Sequence, residues 1–268
     1  MEEHHRGVEG RQEARLSSRI TLEVCIDSVE GGLTAQEAGA GRVELCGNLI
    51  EGGVTPSAGM IQVVRSHLSI PLHVIIRPRG GDFCASGPEF EVMRQDIALA
   101  KEAGVDGVAF GILREDGAVD GERTGALVAL ARPLSVTFHR AFDLTRDPSE
   151  ALRDLIRLKI DRLLTSGQAS SALEGLGLIA DLVRQAGGRI VVMPGGGVHE
   201  QNIRRIVEGA GVSEIHASGS GSVESRATCR NTRVSLGRAF QPSEQTRRVT
   251  DPDRIRAFVQ ALETGRRS

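Results

Sequence analysis

Between Ile20 and Ala217, eight short β-branched segments alternate with seven longer amphipathic ones, and few folds accept that pattern. Strands favour β-branched residues with twofold alternation, whereas helices show an apolar stripe every 3.6 residues. The spacing predicts strands over 20–26, 42–46, 72–77, 106–110, 134–139, 161–165, 189–193 and 213–217. Helices are predicted over 29–39, 57–68, 89–103, 121–131, 148–158, 171–186 and 199–209. Thr55-Pro56-Ser57 and Asp147-Pro148 supply helix starts, and Gly104, Gly187 and Gly211 supply stops. Strands joined through helices run parallel, and eight of them close into a (β/α)8 TIM-like barrel of about 250 residues. An open doubly wound sheet is the alternative, but no Gly-x-Gly-x-x-Gly follows the first strand. No nucleotide cofactor is therefore predicted.

The barrel is expected to be a single domain over 19–218, preceded by a charged, glycine-bearing extension at 1–18. Residues 219–268 are expected to wrap the surface and to end in a helix near Glu263, with Ile255, Phe258, Val259 and Leu262 on one apolar face. A formal net charge of -2, the absence of Trp and Tyr and only seven Phe leave neither a basic footprint nor stacking platforms for nucleic acid. No run approaches the ~18 apolar residues of a membrane span, and the N-terminus has no apolar signal-peptide core. Cys25, Cys46, Cys84 and Cys229 form no Cys-x-x-Cys pair, and the chain is too large to need disulfide staples. Reduced thiols and a cytoplasmic location follow as expectations. Outer barrel helices could also serve homodimer or homotetramer contacts, although no surface is marked for it.

Parity along the strands yields an unusual interior. Glu23-Val24-Cys25 and Glu44-Leu45-Cys46 repeat one pattern, so each glutamate shares a face with its cysteine, while Leu22, Val24, Ile26, Val43 and Leu45 face the helices. His73, Ile75 and Arg77 share the third strand's inner face, Thr137 and His139 the fifth's, and Glu214 and His216 the eighth's. Barrel interiors are ordinarily filled by branched aliphatics. One explanation is structural: Glu23, Glu44 and Arg77 satisfy one another as a buried ion network. The other is functional, because several of these residues fall near strand C-termini, where barrel active sites are built.

Three loops suggest an anion. Arg77-Pro78-Arg79-Gly80-Gly81 could clamp one with two fixed charges, or Arg79 could simply pair with Asp82. Gly195, Gly196 and Gly197 after strand seven, and Ser218 and Gly219 after strand eight, occupy the places where barrels usually hold phosphate, although tight turns need the same residues. His139, with Asp143 to orient it, offers a group for proton transfer or metal binding. Cys25 and Cys46 end adjacent strands about 4.8 Å apart. Two thiolates with no third nearby ligand in sequence suit a soft ion such as Cu(I) better than zinc, which takes four ligands, whereas buried cysteine is also a common small hydrophobe.

The segments LEVCIDS, AGAGRVELC, EGGVTPS, HVIIRPRGGDFC, VTFHRAFD, RLLTSGQ and EIHASGSG, in this order over roughly residues 20–240, closely resemble the copper homeostasis protein CutC family. The resemblance implies a TIM-like barrel, a cytoplasmic protein linked to copper tolerance, and Cu(I) at two cysteines that match Cys25 and Cys46. Two readings follow. In the first, the chain binds copper through Cys25 and Cys46, with Glu23, Glu44 and Arg77 around them. In the second, it is an enzyme acting on a small anionic or phosphorylated metabolite, with Arg77, Arg79 and the Gly195–Gly197 loop holding the anion. Glu23 or Glu44 with His139 then moves a proton, and His216 polarises the substrate. The family resemblance favours copper.

Overall fold

The computed structural model describes residues 20–229 and 246–263. The extension expected at 1–18 lies outside these residues, as does much of the expected wrapping segment. Eight strands form the barrel: β1 (Thr21–Ile26), β2 (Arg42–Leu45), β3 (Leu72–Ile75), β4 (Gly107–Phe110), β5 (Ser135–Phe138), β6 (Arg162–Thr165), β7 (Val191–Pro194) and β8 (Glu214–Ala217). They pair in parallel in the order β7-β6-β5-β4-β3-β2-β1-β8, and β7 lies beside β8 at the seam, so the barrel is nearly closed. The helices are α1 (Val29–Glu37), α2 (Ala58–His67), α3 (Gly87–Glu102), α4 (Gly121–Ala131), α5 (Pro148–Arg157), α6 (Leu176–Ala186), α7 (Ile203–Ala210) and α8 (Pro252–Glu263). None is long and apolar enough to cross a membrane.

Local chemistry starts these helices where the sequence predicts. Ser28 and Ser57 accept hydrogen bonds from backbone N–H groups of Gly31 and Met60, and Ser86 with Glu89 closes a capping box. Two starts are late. Helix α6, expected from 171, begins at Leu176, because Ala172 N–H donates to the Gly196 carbonyl at 2.9 Å and ties the preceding loop across the barrel end. Helix α7, expected from 199, begins at Ile203, because Asn202 accepts from His199 N–H at 2.8 Å and donates to the Gly197 carbonyl at 2.9 Å, which holds a turn there.

Outward strand residues make the apolar core. Leu22, Val24, Ile26, Val43, Leu45, Val74, Val108, Phe110, Val136, Phe138 and Ile215 are essentially inaccessible, as are Ile61, Ile97, Leu127, Leu155, Leu182 and Ile206 on the helices. Each such burial contributes about 1.5–3 kcal/mol. The inner face is polar, and β4 makes room for it with the small inward residues Gly107, Ala109 and Gly111. A Cβ on Gly107 would stand 2.5 Å from His73 Nε2, and one on Gly111 would stand 2.8 Å from His139 Nδ1. Gly107→Ala is therefore expected to lower stability by about 1 kcal/mol or somewhat more through overpacking. Urea denaturation checks this, and an unchanged midpoint would show that His73 moves aside freely.

The segment after β8 carries a hairpin that the sequence does not announce before the expected terminal helix. β9 (Ser220–Glu224) and β10 (Thr246–Thr250) pair antiparallel and lie against the start of α1. The approach is close because Gly31 has no side chain: a Cβ there would meet Thr250 Oγ1 at 2.6 Å. Neither strand sequence, SGSVE or TRRVT, alternates apolar with polar residues in a way that marks a strand. The Asp251 N–H then donates to the Gly219 carbonyl at 2.8 Å, leading directly into α8.

Candidate functional site

The repeated Glu-x-Cys pattern converges inside the barrel. Cys25, at the end of β1, pairs in register with Glu44 of β2. Its Sγ lies 3.5 Å from Cys46 Sγ, and Cys46 Sγ lies 3.5 Å from Glu44 Oε2. The three donor atoms all fall within 4.8 Å of one another. Cys46 and Glu44 are sealed, at 2% and 4% exposure, whereas Cys25 retains 8%. Gly53, at φ +92°, lets the loop after β2 fold down over Cys46, for a Cβ there would approach Sγ to 3.2 Å.

Beneath the thiols runs a ladder of alternating charge. His216 Nδ1–H donates to Glu23 Oε1 at 2.8 Å, and the same carboxylate accepts from Arg42 Nε. Arg42 Nη2 reaches Glu214 at 2.5 Å, and Arg162 grips Glu214 at 2.5 and 3.1 Å. Arg162 also donates to Ser135 Oγ, and Arg42 Nη2 contacts Met193 Sδ at 3.3 Å. The far side of His216 faces the thiols: its Nε2 is 4.0 Å from Glu44 Oε2, and the neighbouring Cys25 favours the charged ring.

These contacts set protonation. Burial alone would push the Glu23 carboxyl up, but Arg42 and the His216 bond hold it well below the ordinary range. His216 is driven the opposite way, since burial favours the neutral ring while bonds to Cys25 and Glu23 raise it well above its ordinary value. The hydrogen bond with Cys46 brings the Cys25 thiol down to about 6 against burial, with His216 assisting. Cys46 is correspondingly raised, first by its bond to Cys25 and then by burial. Burial lifts Glu44 to about 8. At neutral pH the pair thus shares one proton, with Cys25 as thiolate beside an imidazolium. Alkylation of Cys25 by iodoacetamide is accordingly expected to show a midpoint near pH 6, and His216→Gln should move that midpoint upward. A wild-type midpoint above 8 would contradict this arrangement.

The structure thus brings together Glu23, Glu44, Cys25, Cys46 and His216, and it places the other predicted residues elsewhere. One of the two explanations offered for the interior paired Arg77 with Glu23 and Glu44. Instead it donates to the carbonyls of Glu51, Gly53 and Gly81 at 2.9–3.0 Å and stacks over Phe83. Arg79 is held by Glu89, Asp82 and backbone carbonyls. His139 lies buried against Phe83, accepts from Ala141 N–H, and is pushed down to about 3 by burial and Arg77. Among the described residues no hydrogen bond or ion pair joins Arg77, Arg79 or His139 to Glu23. The Gly195, Gly196 and Gly197 loop sits beside Leu164, Arg140 and Ser171, Gly219 packs on Ile255, and exposed Ser218 borders a cleft above Cys25. Arg42 and Arg162, the actual counter-ions, were not among the residues singled out in the sequence. Their parity with Glu44 and Leu164 was the available signal.

The cleft is about 650 Å³ in volume and lies between the start of α1, the turn at Asn48–Ile50 and the β9–β10 hairpin, with Cys25 at its floor. Fold and site together define a TIM barrel with a buried dithiol beneath an open cleft. Residues 20–221 match the CutC family. The copper homeostasis protein cutC homolog of Mus musculus is 54% identical over 237 residues, covering 88% of this chain and 87% of that protein. The Homo sapiens homolog is 51% identical over 245 residues, covering 91% and 90%. The structure of CutC from Streptococcus agalactiae superposes with a TM-score of 0.71 at 34% identity, covering 74% of this chain and 97% of that one. Phosphoribosylanthranilate isomerase of Thermotoga maritima, at TM-score 0.56 and 14% identity over 91% and 99% of the two chains, shares the barrel fold. The chain belongs to the CutC family of copper homeostasis proteins.

Proposed function

We propose that the chain is a cytoplasmic Cu(I)-binding protein that holds the ion between Cys25 and Cys46. The observation that carries this reading is the pair of buried thiols 3.5 Å apart that shares one proton. With metal–sulfur bonds of about 2.3 Å, sulfurs 3.5 Å apart would both lie within reach of one ion. Charge selects its valence. The ladder His216, Glu23, Arg42, Glu214 and Arg162 has three cations against two anions, leaving one positive charge opposite the Cys25 thiolate. Cu(I) would replace the Cys46 proton without altering that balance, whereas a divalent ion would add a buried positive charge. Glu44, protonated at neutral pH, adds no further anion. The donor set of two thiols and one neutral carboxyl also falls short of zinc's four ligands and suits a soft ion of low coordination.

Anaerobic titration with Cu(I) against a strong competing chelator tests the reading. The wild type is expected to take up one ion per chain, and a Cys25→Ser, Cys46→Ser chain to take up none. Binding that survives the double substitution would overturn it.

The second reading, an enzyme acting on a small anionic metabolite, draws on the cleft above a thiol with an imidazole beside it. It is weaker because Arg77 and Arg79, the expected anion clamp, bond to the protein's own carbonyls and carboxylates.

A further inference from the structure

Only one thiol of the pair has a route to solvent. Cys25 forms the floor of the cleft, whereas Cys46 does not line it and is closed off by the turn containing Gly53. At about 650 Å³ the cleft is far larger than an ion needs and lies in the range of small-molecule sites. Its walls differ in charge. Arg226 and Arg248 enter from the hairpin side, where Glu224 is also present, and Asp27 and Glu30 come from the β1–α1 side. Between them Ile50 and Val223 are apolar and about half exposed, at 50% and 44%.

A soft ion travels on soft donors, so Cu(I) reaches a dithiol as a thiolate complex. We infer that the cleft above Cys25 binds the carrier itself: a low-molecular-weight thiol bearing both carboxylate and ammonium groups. This rests on the copper reading. The carboxylates of such a molecule meet Arg226 and Arg248, its ammonium meets Asp27 and Glu30, and its sulfur is brought down to Cys25. The exchange balances without a redox step. One carrier Cu–S bond breaks as the Cu–Sγ bond to Cys25 forms, and the second exchanges as Cys46 engages. One departing thiolate takes up the single proton that Cys46 releases, the other is protonated by solvent, and copper stays Cu(I) throughout.

Equilibrium dialysis under anaerobic conditions tests the inference, with carbon-14-labelled reduced glutathione as the charged probe and labelled 2-mercaptoethanol as the uncharged one, each against the Cu(I)-loaded full chain. The wild type is expected to retain glutathione at least tenfold more tightly, and an Arg226→Glu, Arg248→Glu chain to lose that preference. Equal retention of the two thiols by the wild type, a comparison that needs no variant to fold, would overturn the inference, as would an undiminished preference in the charge-reversed chain. Chelator competition without thiol on the same wild-type protein separates the two ideas. Copper held there with no thiol preference removes the carrier site alone, and copper not held removes the copper reading and the carrier site with it.

Discussion

Glu23→Ala is expected to destabilise the chain by about 3–5 kcal/mol, the loss typical of breaking a buried ion pair from one side. Glu23 is 1% exposed and accepts from both Arg42 and His216. Its removal leaves a guanidinium and an imidazolium facing each other in the barrel interior, with Glu214 the one remaining carboxylate on Arg42 and already shared with Arg162. His73 Nδ1, 3.7 Å from Glu23 and otherwise without a partner, offers no replacement charge. Glu23→Gln should lose nearly as much, since it keeps the volume and discards the charge. Urea denaturation of the metal-free, reduced protein measures both. A loss below about 1 kcal/mol would mean that water enters and that the ladder is not dry.

Stability should also peak near pH 6.5 and fall by about 2 kcal/mol by pH 8, the decline belonging to Glu44. In the fold Glu44 keeps its proton to about 8, whereas an unfolded glutamate releases it near 4.3. The native state therefore binds a proton that the unfolded state lacks, and stability drains as pH rises through that window. Burial holds His73 to about 4 and, with Arg77, His139 to about 3. There the unfolded chain binds the extra protons, so stability climbs until both unfolded imidazoles have titrated near 6.5. Above that point raised His216 and lowered Cys25 oppose each other, one holding a proton and the other missing one. Glu44→Gln should flatten the alkaline limb and leave the acid limb in place. A wild type with no decline above pH 6.5 would contradict the buried, neutral Glu44.

The barrel was legible because the strands carry an outward apolar set at every second residue, with polar residues between them on β1, β2, β3, β5, β6 and β8, and the period of two is visible at Leu22 to Ile26 and at Val43 to Leu45. The same parity brought Glu23, Cys25, Glu44, Cys46 and His216 to one interior. It fell short at Arg77, whose acceptors are backbone carbonyls of Glu51, Gly53 and Gly81 that meet only when two loops close. A side chain's charge announces that it needs a partner and is silent about which. The β9–β10 hairpin was illegible for another reason: its strands carry no apolar stripe and gain their place from Gly31 and from the lead into α8. The cleft over Cys25, formed between that hairpin and α1, was hidden with it.

The most direct measurement of the central claim is X-ray absorption at the copper edge on the anaerobically loaded chain. Two sulfur neighbours are predicted for the wild type, with both lost in the Cys25→Ser, Cys46→Ser chain. Copper surrounded by nitrogen and oxygen alone, or a sulfur signal unchanged by the double substitution, would contradict the dithiol site.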